Sequence, residues 1–246
     1  MNRQAQAAVL FLVGAAVLHA GATDLYLRYV KAGLRPLLLG AGVVLIVAAL
    51  ATVWYEVRGH RHAEAEAQGA GHEHGHAHRE PRISWLLVLP LLALILVAPP
   101  ALGSYSAMRT GTALQAPFGY AALPAGNPLP LSLVDYAGRA AYDHGRSLGD
   151  RRIKITGFVA LDRGGTPYLV RMALNCCAAD AQPVKIGLTG HIPPVLQPDT
   201  WLEVTGTYTG KRTKDPVNGG IIPFFDVSGA RPVPTPHDPY DESWNN

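Results

Sequence analysis

Apolar residues fill three long stretches in the first hundred positions, and beyond them hydrophobicity alternates in short runs. The first stretch covers about residues 5–22 (AQAAVLFLVGAAVLHAGA), with Gln6 and His19 as its only polar side chains. The second covers about 36–55 (PLLLGAGVVLIVAALATVWY) and the third about 83–102 (ISWLLVLPLLALILVAPPAL); neither carries a charge. Each is close to the ~20 residues that span a hydrocarbon layer at about 1.5 Å per residue. A soluble amphipathic helix of that length keeps a polar stripe, which these lack. Trp54, Tyr55 and Trp85 stand at segment ends, where aromatic rings suit the membrane interface. The pattern predicts three transmembrane helices within residues 1–102. Pro90 is expected to kink the third. Gly14, Gly21, Gly40 and Gly42 are candidates for close helix approach. A rival reading of the first stretch is a signal sequence, with Arg3 ahead of the apolar core and Ala20-Gly21-Ala22 as a cleavage site.

Residues 103–150 are rich in Gly, Pro and small side chains and read as a linker with a lead-in helix over about Ser132 to Tyr142. Five strand-like runs follow: 152–160 (RIKITGFVA), 167–173 (PYLVRMA), 183–188 (PVKIGL), 200–208 (TWLEVTGTY) and 221–227 (IIPFFDV). Period-two alternation with Gly and Pro punctuation indicates an all-β unit over 151–230. Gly157 and Gly206 lie inside strands, as at barrel bends. The expectation is a membrane α-helical region followed by a C-terminal all-β domain, an OB-like five-stranded barrel, with a small sandwich as the alternative. Residues 231–246 form a Pro-rich tail.

Charge adds orientation. A net +3 with no dense basic block argues against nucleic acid as a partner. Arg3, Arg58, Arg61, Arg79 and Arg82 fall on one side of the predicted spans, and Arg28, Lys31 and Arg35 on the other. The excess places the N-terminus and the second loop in the cytoplasm. Three crossings then leave the C-terminal domain outside a multi-pass plasma-membrane protein.

Two groups of side chains carry candidate chemistry. The loop at 56–82 holds His60, His62, His72, His74, His76 and His78. Imidazoles two residues apart share one side of an extended chain and suit Zn, Ni or Cu. The second group is Cys176, Cys177 and Asp180, within five residues of one another. Two thiolates and a carboxylate are a zinc- or copper-type donor set. His144, His191 or His237 would supply a fourth ligand, and Arg171 is placed to lower a thiol pKa. Adjacent side chains on a strand face opposite ways, so the pair meets one ion only if the chain turns at Asn175 and Asp180. The bland alternative is that both cysteines are small buried hydrophobes.

At this motif the chain resembles the YcgQ-like membrane proteins, a permease-subunit family. The resemblance rests on ITGFV at 155–159, Arg171, CCAADA at 176–181, WLEVTG at 201–206 and the N-terminal helical hairpin. It implies an accessory membrane subunit beside a membrane-spanning permease partner, in metal homeostasis, with zinc as the ion. The alternative is a membrane-anchored OB-like docking module with no metal role. No catalytic triad, phosphate loop or carboxylate pair is apparent, and the expectation is that the chain is not an enzyme.

Overall fold

Without an interior polar stripe, the first two apolar stretches fold as helices whose apolar side chains remain on the outside. In the computed structural model, which describes residues 3–67, 86, 88–97, 99–116 and 118–242, α1 spans Arg3–Ala22 and α2 spans Arg35–Ala67. Phe11, Leu37, Val44, Val47, Leu50 and Trp54 are all exposed, an apolar surface suited to lipid. Two helices, Arg3–Ala22 and Ala32–Arg58, are long and apolar enough to cross a membrane. α1 and α2 meet through glycine. A Cβ on Gly14 would lie 3.0 Å from Leu45 Cβ and 3.1 Å from the Gly42 carbonyl, and one on Gly42 would press on Leu18. Gly21 abuts Leu39, whereas Gly40 faces open space and takes no part. Arg35 Nε donates to the Gly21 carbonyl at 2.9 Å, satisfying the C-terminal end of α1.

Three expectations for this region change. α2 continues beyond residue 55 to Ala67, so the backbone of His60 and His62 is helical and the extended-chain spacing does not apply to them. The third helix, expected over 83–102, is described as α3, Val88–Leu96. Its last turn closes with Val97 N–H on the Ala93 carbonyl, before Pro99-Pro100, which cannot continue a helix. Pro90 falls in the first turn of α3, where a missing N–H costs nothing, rather than in a mid-helix kink. Residues 83–85, 87 and 98 lie outside the described residues, as do His72, His74, His76 and His78.

The chain divides into two compact units. One comprises 1–26 and 32–100; the other comprises 101–246 together with Leu27–Lys31, which lie within the connection between α1 and α2. This short segment belongs with the C-terminal residues, which the sequence did not foretell.

In the second unit the alternating runs form β2 (Ile153–Leu161), β3 (Pro167–Ala173), β4 (Gln182–Gly190), β5 (Trp201–Lys214) and β6 (Ile221–Pro232). β2 pairs with both β3 and β5, β5 with β6, β6 with β4 and β4 with β3, which closes a five-stranded barrel of the OB-like kind. Gly206 sits at a register shift between β5 and β6, where any Cβ would run into the Asp226 carbonyl. Helix α5 (Leu133–Tyr142) starts at Ser132, whose hydroxyl accepts from Asp135 N–H at 3.0 Å. Its Leu133, Tyr136, Ala137 and Ala140 pack on the barrel interior with Ile155, Leu169, Ile186 and Phe225. Tyr136 also donates to the Phe224 carbonyl at 2.6 Å.

The expected linker is more ordered than its composition suggests. It holds α4 (Ser104–Arg109) and β1 (Leu129–Pro130), which pairs in parallel with β2. A second apolar cluster unites Ala107 of α4 with Phe158, Met172 and Trp201 on the outer barrel face. The Pro-rich tail joins it through β7 (Tyr240–Asp241), parallel to β3. These coverings explain why β2 and β4 are buried on both faces.

Lys185 on β4 and Asp215 after β5 are both buried, with Nζ 2.8 Å from Oδ2. Lys185 also donates to the Thr110 carbonyl, and Asp215 accepts from the N–H groups of Thr112 and Val217. Burial pulls the Asp215 carboxyl upward, but hydrogen bonds from Lys185, Val217 and Thr112 outweigh it and hold the group below its ordinary range. We predict that Lys185→Met costs about 3–5 kcal/mol, because it strands a buried carboxylate. Adding Asp215→Asn should recover part of that loss by removing the stranded charge, since the single amide oxygen can still accept from one of the two N–H groups, Thr112 or Val217. A carboxyl whose pKa is lower folded than unfolded stabilises the fold fully above its unfolded value and progressively less as pH falls through the folded one. Wild-type stability should therefore fall in acid, and the double variant should lose less; thermal unfolding across pH checks both.

Candidate functional site

The loop from the end of β3 to the start of β4 carries Cys176, Cys177 and Asp180. Leu174, fully buried, pins its entrance, and its N–H donates to the Asp241 carbonyl at 2.9 Å. Asp180 then folds back on the chain: Oδ1 accepts from Asn175 N–H at 3.1 Å and Oδ2 from Cys176 N–H at 2.9 Å. Residues Ala178–Asp180 make a short 3₁₀ turn. This turn defeats the strand alternation that would send the two thiols apart. The Sγ atoms of Cys176 and Cys177 and a carboxylate oxygen of Asp180 all lie within 4.8 Å of one another.

The cluster is open to solvent, with Cys176 exposed and Cys177 partly so. Cys176 Sγ donates to Asp180 Oδ2 at 2.9 Å. That bond, followed by the one with Cys177, pushes the Cys176 thiol up to about 11. Partial burial pushes the Asp180 carboxyl up, yet hydrogen bonds from the Cys176 thiol and from the N–H groups of Cys176, Asn175 and Cys177 outweigh it and keep the group below its ordinary range. At rest the site is therefore a protonated thiol held on a carboxylate, a poor nucleophile at neutral pH. A metal ion exchanges with such protons, because ligand binding requires deprotonation. Zn–S bonds of about 2.3 Å put two thiolates about 3.8 Å apart around a tetrahedral ion, a spacing that lies inside the 4.8 Å envelope.

Arg171 serves another purpose than the one expected. Its guanidinium donates to the carbonyls of Asp238 and Tyr240 and lies 5.0 Å from the Trp201 ring. It clamps the tail onto β3, and the groups acting on the Cys176 thiol are Asp180 and Cys177. The thiol is raised rather than lowered. Among the described residues the cluster contains no histidine: His144 sits in the turn after α5 at φ 52°, and His191 follows β4 with its N–H on the Val227 carbonyl.

Sequence reasoning missed the backbone partner of the loop. Val30 and Cys177 form an isolated antiparallel bridge. Lys31 N–H donates to the Cys176 carbonyl at 3.1 Å, and Ala178 N–H donates to the Tyr29 carbonyl at 2.7 Å. It also missed Tyr240, whose hydroxyl donates to the Arg28 carbonyl at 3.1 Å and accepts from Leu102 N–H at 3.2 Å. Nothing in the spacing of these residues announces either contact, since each joins positions far apart in the chain.

We predict that Cys176 alkylates slowly at pH 7, with a rate that rises until the thiol titrates at about 11. Asp180→Asn removes the charge that holds the proton and should speed alkylation at neutral pH severalfold. Arg171→Gln should leave that titration in place and lower thermal stability. Mass-spectrometric alkylation rates across pH separate the three proteins.

No curated protein and no solved structure matches the chain. Residues 139–241, which include the end of α5, the whole barrel, the Cys-Cys-Asp loop and the tail strand, match the DUF1980 C-terminal domain.

Proposed function

We propose that the protein is an accessory membrane subunit of a permease system that handles a transition-metal ion, zinc, with a permease as its partner in the plasma membrane. The observation that carries this reading is the convergence of two thiols and a carboxylate within 4.8 Å on an exposed loop. Packing alone calls for neither the exposure nor the thiol–carboxylate hydrogen bond. In this reading Cys176, Cys177 and Asp180 take the ion, and a water or a partner group completes the coordination. The histidines between His60 and His78 gather ions on the other side of the membrane. The role is binding and transfer rather than catalysis.

A parity argument supports three membrane crossings. Leu27–Lys31 and residues from 101 onward form one compact unit, so they share one side of the bilayer. The chain leaving at Lys31 and returning at Ala101 must then cross an even number of times. α2 supplies one crossing, and the apolar stretch at 83–102 supplies the other. With the arginine bias, the Cys-Cys-Asp loop faces outside.

A docking role without metal is the second reading. It is favoured by a groove of about 710 Å³ on the second unit, lined by Tyr105, Met108 and Arg109 of α4, by Arg163, and by Val217.

We predict that purified wild-type protein holds zinc at the thiols and that Cys176→Ser/Cys177→Ser, although folded, loses one equivalent. Deleting residues 60–78 should remove a separate, weaker population. Under metal limitation or excess, the double Ser variant should fail to complement a strain lacking the gene. Full complementation would leave the docking reading in front. For topology, Asp150→Cys in a background without the native pair should react with an impermeant thiol reagent on intact cells, and Gln68→Cys should not.

A further inference from the structure

We infer that the Cys176–Cys177 loop and the segment joining α1 to α2 are one coupled element: a soft divalent ion taken by the thiols tightens residues 28–31, and the pairing of those residues tightens the ion. The inference rests on the metal-binding reading above.

The coupling follows from which peptide does what. The carbonyl that accepts from Lys31 N–H belongs to the peptide joining the two cysteines. The N–H on the far side of Cys177, that of Ala178, donates to Tyr29. Cys177 itself is extended, at φ −151° and ψ 166°, which this bridge requires. The Cys176 N–H and the Cys177 carbonyl bond to Asp180 within the loop, and the two bonds that leave the loop at the thiol pair both go to residues 29–31. An ion bound to both sulfurs holds them about 3.8 Å apart, which restricts the orientation of that peptide and with it the carbonyl offered to Lys31. The bridge is a single isolated pair held by two hydrogen bonds, so its population is sensitive to a modest bias. The Tyr240 hydroxyl on the Arg28 carbonyl adds a third tie to the same short segment. Linkage makes the effect reciprocal: if the ion favours the paired state, pairing favours the ion by the same factor. Leu27–Lys31 also lies within the covalent connection between α1 and α2.

The test compares Lys31→Pro with Lys31→Ala in the full-length protein, with the six loop histidines changed to alanine so that the loop does not compete for metal. Proline removes the N–H that reaches Cys176 and keeps Val30 extended; alanine removes only the side chain. The probe is Cd²⁺, whose sulfur-to-metal charge-transfer absorption reports thiolate ligation. Lys31→Pro should bind Cd²⁺ about tenfold more weakly than Lys31→Ala, within the usual range of coupled sites. Tyr240→Phe, which leaves the loop untouched, should weaken binding in the same direction by less. In Lys31→Ala, saturating Cd²⁺ should slow tryptic cleavage after the exposed Arg28 severalfold, and Cys176→Ser/Cys177→Ser should abolish that protection. Equal affinities for the proline and alanine variants, with cleavage after Arg28 indifferent to Cd²⁺, would overturn the coupling while leaving the metal site standing. Absence of a charge-transfer band in every variant would remove the metal site and the coupling together.

Discussion

A charge buried out of water must find its counter-charge, and in this domain that demand organises the fold around Lys185 and Asp215. The pair recruits the carbonyl of Thr110 and the N–H groups of Thr112 and Val217. It thereby ties three segments together: the stretch after α4, the middle of the barrel, and the turn between β5 and β6. Asn218 adds a hydrogen bond to the Thr112 carbonyl, and Pro183 accepts from Ala113 N–H. β4 is thus held from outside as well as within the barrel. The Cys-Cys-Asp loop leads directly into β4, so one of its two ends is anchored by this network. The other end is anchored by Leu174 and the tail strand, itself clamped by Arg171.

Between those anchors the loop carries an electrostatic arrangement with one chemical consequence. Asp180 stays charged because hydrogen bonds reach it from the backbone and from a thiol, and that charge keeps the thiol protonated. Such a site resists alkylation and oxidation at rest, both of which run through the thiolate. It yields to a species that supplies more positive charge than a proton does. A divalent metal ion is such a species, and two sulfurs with one oxygen suit zinc. In the metal-binding reading proposed above, an ion would displace the proton held between Cys176 and Asp180.

Parts of this were legible in the residues. The apolar stretches announce α1 and α2 because a bilayer requires length and uniformity, both countable. The barrel follows from alternation and from Gly206, whose position allows no side chain. The helix at Ser132 follows from its cap. The motif itself stands out because two thiols and a carboxylate in five residues are unusual in ordinary packing. Arg171 drew attention for the right proximity in sequence and the wrong partner: it lies on β3, but its guanidinium turns toward the tail rather than the loop.

What the sequence alone determined, then, is whatever depends on periodicity and on local chemistry: the apolar helices, the strands, the OB-like class and the clustering of Cys176, Cys177 and Asp180 within five residues. What only the tertiary structure decided is which distant segments meet. Leu27–Lys31 joins the C-terminal unit, the Pro-rich tail becomes a strand beside β3, and Val30 pairs with Cys177. The physical reason is that backbone hydrogen bonds are indifferent to side-chain type. Tyr29, Val30 and Lys31 bind the loop through N–H and C=O groups that every residue but proline carries, so the pairing leaves no signature in the residues that make it.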